Sequence, residues 1–431
     1  MERGGAYADI LLDRAQRAIP DPKDRALLTE LVMGTLRRRG TLDFLLSRHL
    51  DRPLGKADLL ARNALRLGLY QILYTRVPER AAVFETVEAV KRERGERIGG
   101  LVNAVLREAA RGGRTAEPPG QEGEERLAAE LSAPPALLSA LSRSLGAREA
   151  AAYLAASLER PPFAVRSNPF RTSREALLSR LSRDGMAPVP CRYAPDGIVL
   201  REPGGVHADP GFRGGEYLVM DEGAQLIAPL LSPRAEEAVL DACAAPGGKA
   251  THLAALARGL AAIVAADVSE GRVRLLRETL ARTGAPGVRP LVHDFAAGPL
   301  PPSGGGFDKI LVDAPCTGMG VIRRNPDAKW RFRPDWPAEM ARLQSAVLDG
   351  AWTSLRPGGV LLYCTCSPFR EENEEVVASF LARHPDGTTN RVRPADWPGP
   401  EDGWTPEGFL RITPDRHGTD GFFAALLRRD G

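Results

Sequence analysis

The 431 residues predict a multi-domain chain: an N-terminal all-α bundle, a small α+β module and a C-terminal α/β domain on a mostly parallel sheet. Three observations carry this. Apolar residues recur at helical spacing through 6–110, with little two-residue alternation. Residues 160–230 mix short strand-like and helical runs. From 236 onward strands alternate with helices, as in a parallel sheet covered on both faces.

In the first part Leu65, Leu69, Ile72 and Leu73 mark one helix face, and Val83, Val87 and Val90 the next, as in a helical bundle. The expected boundaries are 1–112 for this domain, 113–125 for a linker, 126–230 for a helical plus α+β segment, and 231–431 for the last domain. The stretch RGGRTAEPPGQEGEE (111–125) is rich in Gly, Pro and charge and reads as linker. Helical material resumes at 126–158. A strand at 163–168, a helix at 174–183 and a strand at 197–200 follow. The last domain should place strands at 238–243, 262–266, 288–292, 309–312 and 360–363. Its helices should lie at 249–258, 269–282, 337–355 and 371–383. A final strand at 422–427 should pair antiparallel.

Hydrophobic content of 43% suffices for more than one core. No run of about 18 apolar residues occurs, so no transmembrane helix is expected. The start, MERGGAYADILLDRA, lacks the apolar core of a secretory signal. Five cysteines, an odd number thinly spread, argue against a disulfide framework and for a reducing cytoplasm. Net charge is only +3, yet residues 1–112 hold 21 Lys+Arg against 15 Asp+Glu. Nearly all basic residues are arginines, which genomic base composition or contact with RNA phosphates and bases would each explain.

The run Asp241-Ala-Cys-Ala-Ala-Pro-Gly-Gly-Lys249 joins a strand to a helix through a glycine turn, the arrangement that holds a nucleotide-like cofactor. Glycine lets the backbone approach closely, and the helix start offers unpaired amides. Asp267 closes the second strand, twenty residues after Gly247, a spacing suited to ribose hydroxyls. Asp294 and Asp313 follow the third and fourth strands. A lone strand-end Asp is more often a turn or helix cap. Three in register with a glycine turn point to a ligand. A nicotinamide cofactor competes, but favours a three-glycine fingerprint that this loop lacks.

Two cysteines fifty residues apart, in Asp313-Ala-Pro-Cys316 and Tyr363-Cys-Thr-Cys366-Ser367, each follow an apolar strand-like run. Thiols at a cofactor crevice suggest covalent catalysis, and 5-methylation of cytosine is the chemistry that needs them. A thiolate adding to the 6-position makes the 5-carbon an enamine-type nucleophile. A second group then assists removal of the 5-proton and expulsion of the thiolate. Asp313 is placed to stabilise charge at the ring nitrogen. Buried structural cysteines are the commoner alternative, and Cys364-Thr-Cys366 is poorly spaced for zinc, so no metal is expected. Chemistry alone leaves open which thiol attacks. Beyond Cys316, the residues Arg323, Arg324, Lys329, Arg331 and Arg333, with Trp330 and Phe332, form a loop suited to clamping phosphates and stacking bases. A solvated face is the bland alternative.

The stretches DAPCTGMGVIRRNPDAKW (313–330), DACAAPGGKATHLA (241–254) and YCTCS (363–367) resemble the bacterial RNA cytosine 5-methyltransferases. More narrowly, they resemble the Sun/Fmu type acting on a specific cytosine of 16S ribosomal RNA. RNALRLGLYQILY (62–74), VNAVLR (102–107) and HGTDGFFAALLRR (417–429) extend the likeness over nearly the whole chain. The resemblance implies a NusB-like RNA-binding domain, with Arg37, Arg38 and Arg39 as a candidate patch. It implies an RNA-contacting α+β extension and a Rossmann-like methyltransferase domain. S-adenosylmethionine is assigned to Cys243, Ala244, Ala245, Pro246, Gly247, Gly248, Lys249, Asp267, Asp294 and Asp313. Cys366 becomes the nucleophile and Cys316 the releasing partner, with Asp313 assisting. Cys364 and Cys243 are left to packing or cofactor lining, and Cys191 is incidental. Ala224 departs from the family pattern, which has a small hydroxylated residue there. The expected partner is 16S ribosomal RNA, free or partly assembled, met by a monomer without membrane or metal. Another structured RNA (transfer or 23S ribosomal RNA) is one competing substrate. A noncatalytic NusB-like RNA-binding factor is the reading from another class, disfavoured by the joint presence of Asp313, Cys316 and Cys366.

Overall fold

Helices begin where the sequence supplies caps. Asp21 accepts from the Lys23 N–H at 2.7 Å ahead of Pro22–Arg37, and Asp58 accepts from the Leu60 and Ala61 N–H groups ahead of Leu59–Tyr74. Ala8–Gln16, Arg39–Ser47, Glu79–Arg94 and Glu96–Arg111 complete the N-terminal bundle. Leu42, Leu46, Leu65, Leu69, Val102 and Leu106 lie at its centre, each essentially without exposure. The computed structural model describes residues 7–111, 123–300, 306–389 and 393–431.

Packing divides the chain into two units. One comprises Met1–Arg160 with Ile322–Arg333, the other Pro161–Val321 with Pro334–Gly431. This division differs from the expected boundaries. The helices Glu124–Glu130, Pro135–Leu145 and Ala147–Ala156 belong with the N-terminal bundle, not with the α+β module. Thr41 Oγ1 donates to the Ala129 carbonyl at 2.7 Å, and Gly40 N–H to Ser132 Oγ at 2.9 Å. Of the expected linker, residues 113–122 lie outside the described residues, while 124 and 125 open a helix.

In the second unit four short strands form an antiparallel sheet: β1 (Phe163–Ser167), β2 (Pro188–Pro190), β3 (Gly197–Leu200) and β4 (Tyr217–Val219), in the order β2-β3-β1-β4. The helix Arg174–Arg183 seals it with Leu177 and Leu181. This module is pinned by buried polar groups to two helices of the same unit, Gly248–Leu256 and Glu270–Thr283. Arg166 donates to Thr251 Oγ1 at 2.8 Å, and Asn168 Nδ2 to the Thr283 carbonyl at 2.8 Å.

The larger sheet contains β5 (Ala238–Asp241), β6 (Ala262–Asp267), β7 (Val288–Val292), β8 (Phe307–Asp313), β9 (Leu355–Thr365), β10 (Gly387–Thr389), β11 (Leu410–Ile412) and β12 (Phe422–Arg429). Its order is β10-β12-β9-β8-β5-β6-β7, with β11 on β12. The five strands from β9 to β7 are parallel, and β12 runs antiparallel to β9 as expected. The chain moves outward from β5 to β6 and β7, then returns to β8 on the other side of β5. That reversal opens a crevice at the carboxyl ends of β5 and β8. The strands β2, β4, β10 and β11, three residues each, were too short for sequence periodicity to register. No helix among the described residues is long and apolar enough to cross a membrane.

Candidate active site

The crevice is built by three strand ends. Beyond β5 the chain turns through a cis Ala245–Pro246 bond into Gly247, which adopts φ +110°. A Cβ there would lie 2.9 Å from Leu276 Cδ1, so both conformation and space call for glycine. The helix Gly248–Leu256 starts immediately after and carries Lys249. Asp267, at the end of β6, is 2% exposed and accepts from the Ala245 and Ser269 N–H groups at 3.3 Å each. It therefore braces the glycine loop from beneath. Arg272 caps the same loop by donating to the Ala245 carbonyl at 3.0 Å. Asp294 lies beyond β7, exposed, with one oxygen accepting from the Ala296 N–H at 2.9 Å.

Lys249 reaches across to Asp313 at the end of β8, Nζ to Oδ2 2.7 Å. The carboxyl raises the lysine's pKa against the effect of burial. The other oxygen of Asp313 accepts from the Cys364 thiol at 3.4 Å. Asp241 sits beneath, with no exposure and neither carboxyl oxygen hydrogen-bonded among the described residues. Burial pushes its pKa up to about 8, Asp313 adds to this, and Lys249 opposes it. A buried, unpartnered carboxyl beside a glycine turn suits a ligand that carries positive charge.

The thiols lie at the rim. Strands β8 and β9 pair in parallel with Asp313 opposite Cys364, so the loops beyond them leave side by side. Cys316 Sγ and Cys366 Sγ are 3.3 Å apart, and both are half-buried. Contact with Cys366 and burial push the Cys316 thiol well above its ordinary pKa. Gly320 N–H donates to the Cys366 carbonyl at 2.8 Å, and a Cβ at 320 would lie 2.6 Å from that oxygen. Cys364 is fully buried in the sheet, Cys243 is half-buried beside the glycine loop, and Cys191 packs against Gly197 in the module. The structure thus brings Lys249, Asp267, Asp313, Cys316 and Cys366 to one crevice.

Sequence reasoning missed Glu372, Gln344, Thr317 and Ser367, which tie the thiol loops together. It also passed over Asp241 as a site residue. The acidic run after the second cysteine motif offers no sign of which carboxyl turns inward.

The basic loop is placed differently from expectation. Ile322–Arg333 packs within the helical unit, where Lys329 is fully buried and donates to the Arg37 carbonyl at 2.9 Å. Burial, with Arg37 and Arg38 nearby, lowers the Lys329 pKa to about 7. Arg323 is 3% exposed, and its carbonyl accepts from Arg37 Nη2 at 3.1 Å. Lys329 and Arg323 therefore build this packing and are not phosphate contacts in this arrangement. Arg37 is buried with them, while Arg38 lies over Tyr74 and Arg39 over Trp330. Arg324 and Arg331 are partly exposed and Arg333 is exposed. Arg331 lies over the Tyr7 ring.

A doubly wound sheet with a glycine-turn crevice, acidic strand ends and paired thiols defines a Rossmann-like methyltransferase. Residues 228–428 match the family model described as 16S rRNA methyltransferase RsmB/F. Residues 1–111 match the NusB family, and 133–207 the ferredoxin-like domain of RsmF/B-like methyltransferases. The chain is 34% identical to the probable ribosomal RNA small subunit methyltransferase B of Bacillus subtilis, over all of this chain and 96% of that protein. It is 36% identical to the ribosomal RNA small subunit methyltransferase B of Citrobacter koseri, over 99% and 95%. The crystal structure of PH0851 superposes with a TM-score of 0.82 at 29% identity, covering 96% of this chain and 92% of that one. The chain belongs to the ribosomal RNA small subunit methyltransferase B family. Its cofactor is accordingly S-adenosylmethionine.

Proposed function

We propose that this protein methylates the 5-carbon of one specific cytosine in 16S ribosomal RNA through a covalent adduct between Cys366 and the 6-carbon. The observation that carries the reading is the pair of thiol sulfurs 3.3 Å apart beside the cofactor crevice. Two cysteines in contact at this place have a task in 5-methylation, and none in methyl transfer to an already nucleophilic atom.

The glycine loop 244–248 and Asp267 would hold the nucleoside end of S-adenosylmethionine, and Asp241, unpartnered and buried, would face its positive end. The bound cofactor supplies an electrophilic methyl group. Cys366 adds as thiolate to the 6-carbon, forming the carbon–sulfur bond and moving the ring's electron pair to the 5-carbon. Asp313, held by Lys249, stabilises charge at the ring nitrogen during that addition. After methyl transfer a base removes the 5-proton, the double bond reforms, and the electron pair returns to Cys366 as it leaves. Cys316, its sulfur 3.3 Å from that of Cys366, stands within reach to assist the departing sulfur with a proton. The helical unit, with the partly exposed Arg324 and Arg331 and the exposed Arg333, would grip RNA.

Bisulfite sequencing of ribosomal RNA from cells with and without the gene tests this. One 16S cytosine should lose its methyl group without the gene and regain it with the wild-type protein. Loss confined to transfer or 23S ribosomal RNA would reassign the substrate, and no loss in any RNA would end the proposal.

A further inference from the structure

Two loops carry the thiols, and fifty residues separate them. One side chain bonds to both. Glu372 lies in the short helical turn Arg370–Glu372 and is completely buried. Its Oε2 accepts from the Thr317 N–H at 2.9 Å and from Gln344 Nε2 at 2.9 Å. Its Oε1 accepts from Thr317 Oγ1 and from Ser367 Oγ, each at 2.5 Å. Thr317 follows Cys316 directly, and Ser367 follows Cys366 directly. Gln344 donates as well to the Pro315 carbonyl at 2.9 Å, on the other side of Cys316. Tyr363 Oη donates to the Glu372 carbonyl at 2.6 Å, fixing this turn to strand β9.

We infer that Glu372 is a positioning residue that sets the separation of Cys316 and Cys366, one buried carboxyl bonding the residue after each thiol. This deepens the reading above and rests on it for its catalytic consequence, though not for its geometry. Burying a carboxyl is costly unless its oxygens are satisfied, and four donors satisfy this one. An apolar contact would hold the loops together without fixing the sulfurs to within a few tenths of an ångström. Directional bonds from one planar group do so. Glu372 touches neither sulfur. Its charge nevertheless contributes to raising the Cys316 pKa, so its effect on that thiol has a signature that packing alone lacks.

The test uses the full chain and needs no RNA for its first part. Phenylarsine oxide condenses with two neighbouring thiols, forming two arsenic–sulfur bonds and releasing water. Bridging is read as protection of Cys316 and Cys366 from iodoacetamide by peptide mass spectrometry. Cys316→Ala and Cys366→Ala proteins serve as controls without a bridge. Glu372→Ala should slow bridging at least about tenfold and lower kcat about a hundredfold with a smaller change in KM for RNA, as misplacement by about an ångström does. Glu372→Gln can keep the bonds, because the hydroxyls of Thr317 and Ser367 can reverse and accept. It should bridge normally but alkylate at Cys316 at lower pH than wild type. Bridging in Glu372→Ala as fast as in wild type overturns the inference. If Glu372→Ala does not fold, Ser367→Ala, which removes one of the bonds to Glu372, takes its place, and bridging there as fast as in wild type overturns the inference. Slowed bridging with unimpaired methylation would uphold the positioning of the thiols and refute their catalytic role, so the two readings fail separately.

Discussion

The ammonium of Lys249 lies 2.7 Å from Oδ2 of Asp313, and this pair ties the carboxyl ends of β5 and β8 together. Both partners are largely withdrawn from water, with side chains 13% and 30% exposed. Lys249→Met should leave Asp313 beside the buried Asp241 without a counter-charge. We expect a loss of about 3 kcal/mol in urea denaturation, the range for removing one partner of a mostly buried pair. A change within about 0.5 kcal/mol, the level of an ordinary surface substitution, would show that the pair is not structural.

Asp241 makes stability depend on pH in a stated direction. Its folded pKa is raised from 3.8 to about 8, so the folded state binds the extra proton between those values. Its contribution is complete below about pH 4 and is lost as pH rises through about 8. Asp241→Asn should flatten that slope. Without cofactor, wild-type stability should fall relative to the variant by a few kcal/mol between pH 5 and 8. Parallel curves for the two proteins would mean that Asp241 is already ionised at pH 5.

Asp267 serves two masters, because the oxygens expected to meet ribose hydroxyls also receive the Ala245 and Ser269 amides. Alanine would collapse the loop and the ligand contact together. Asp267→Asn keeps the shape and one acceptor. Its cofactor affinity in calorimetry should fall by about 1.5–3 kcal/mol, with the melting temperature changed by only a few degrees. Unchanged affinity would remove Asp267 from the cofactor site.

Much of this site was legible along the chain, and the reason is local. Asp267 and Asp313 end β6 and β8 because apolar strand runs announce their own termini. The glycine turn follows directly on β5, so residues 241–249 carried strand, turn and helix in nine positions. Thiol proximity required more, namely that β8 and β9 be neighbours with Asp313 opposite Cys364. Alternation predicts a parallel sheet but not its order, so the two cysteines could be paired only by their chemistry. Glu372 was invisible because its partners lie 5, 28 and 55 residues away, and no periodicity links such positions. The basic loop misled for the opposite reason. Lys329 and Arg323 look solvated by composition, yet both are buried, Lys329 donating to the Arg37 carbonyl and the Arg323 carbonyl accepting from Arg37. A run of charges cannot reveal which members snorkel outward and which are enclosed.

The two thiols should fail differently. Cys366→Ala removes the atom that bonds to the 6-carbon, so methylation should fall to background and no adduct should form. Cys316→Ala leaves addition and methyl transfer possible but removes the neighbour, 3.3 Å away, that can return a proton to the departing sulfur. That variant should accumulate protein covalently bound to RNA when cofactor is present. A denaturing gel with substrate RNA and cofactor reads the result as a slowly migrating band. The band should appear with Cys316→Ala alone. Its appearance with Cys366→Ala alone would exchange the two roles, and full activity in both variants without any band would remove covalent catalysis from this protein.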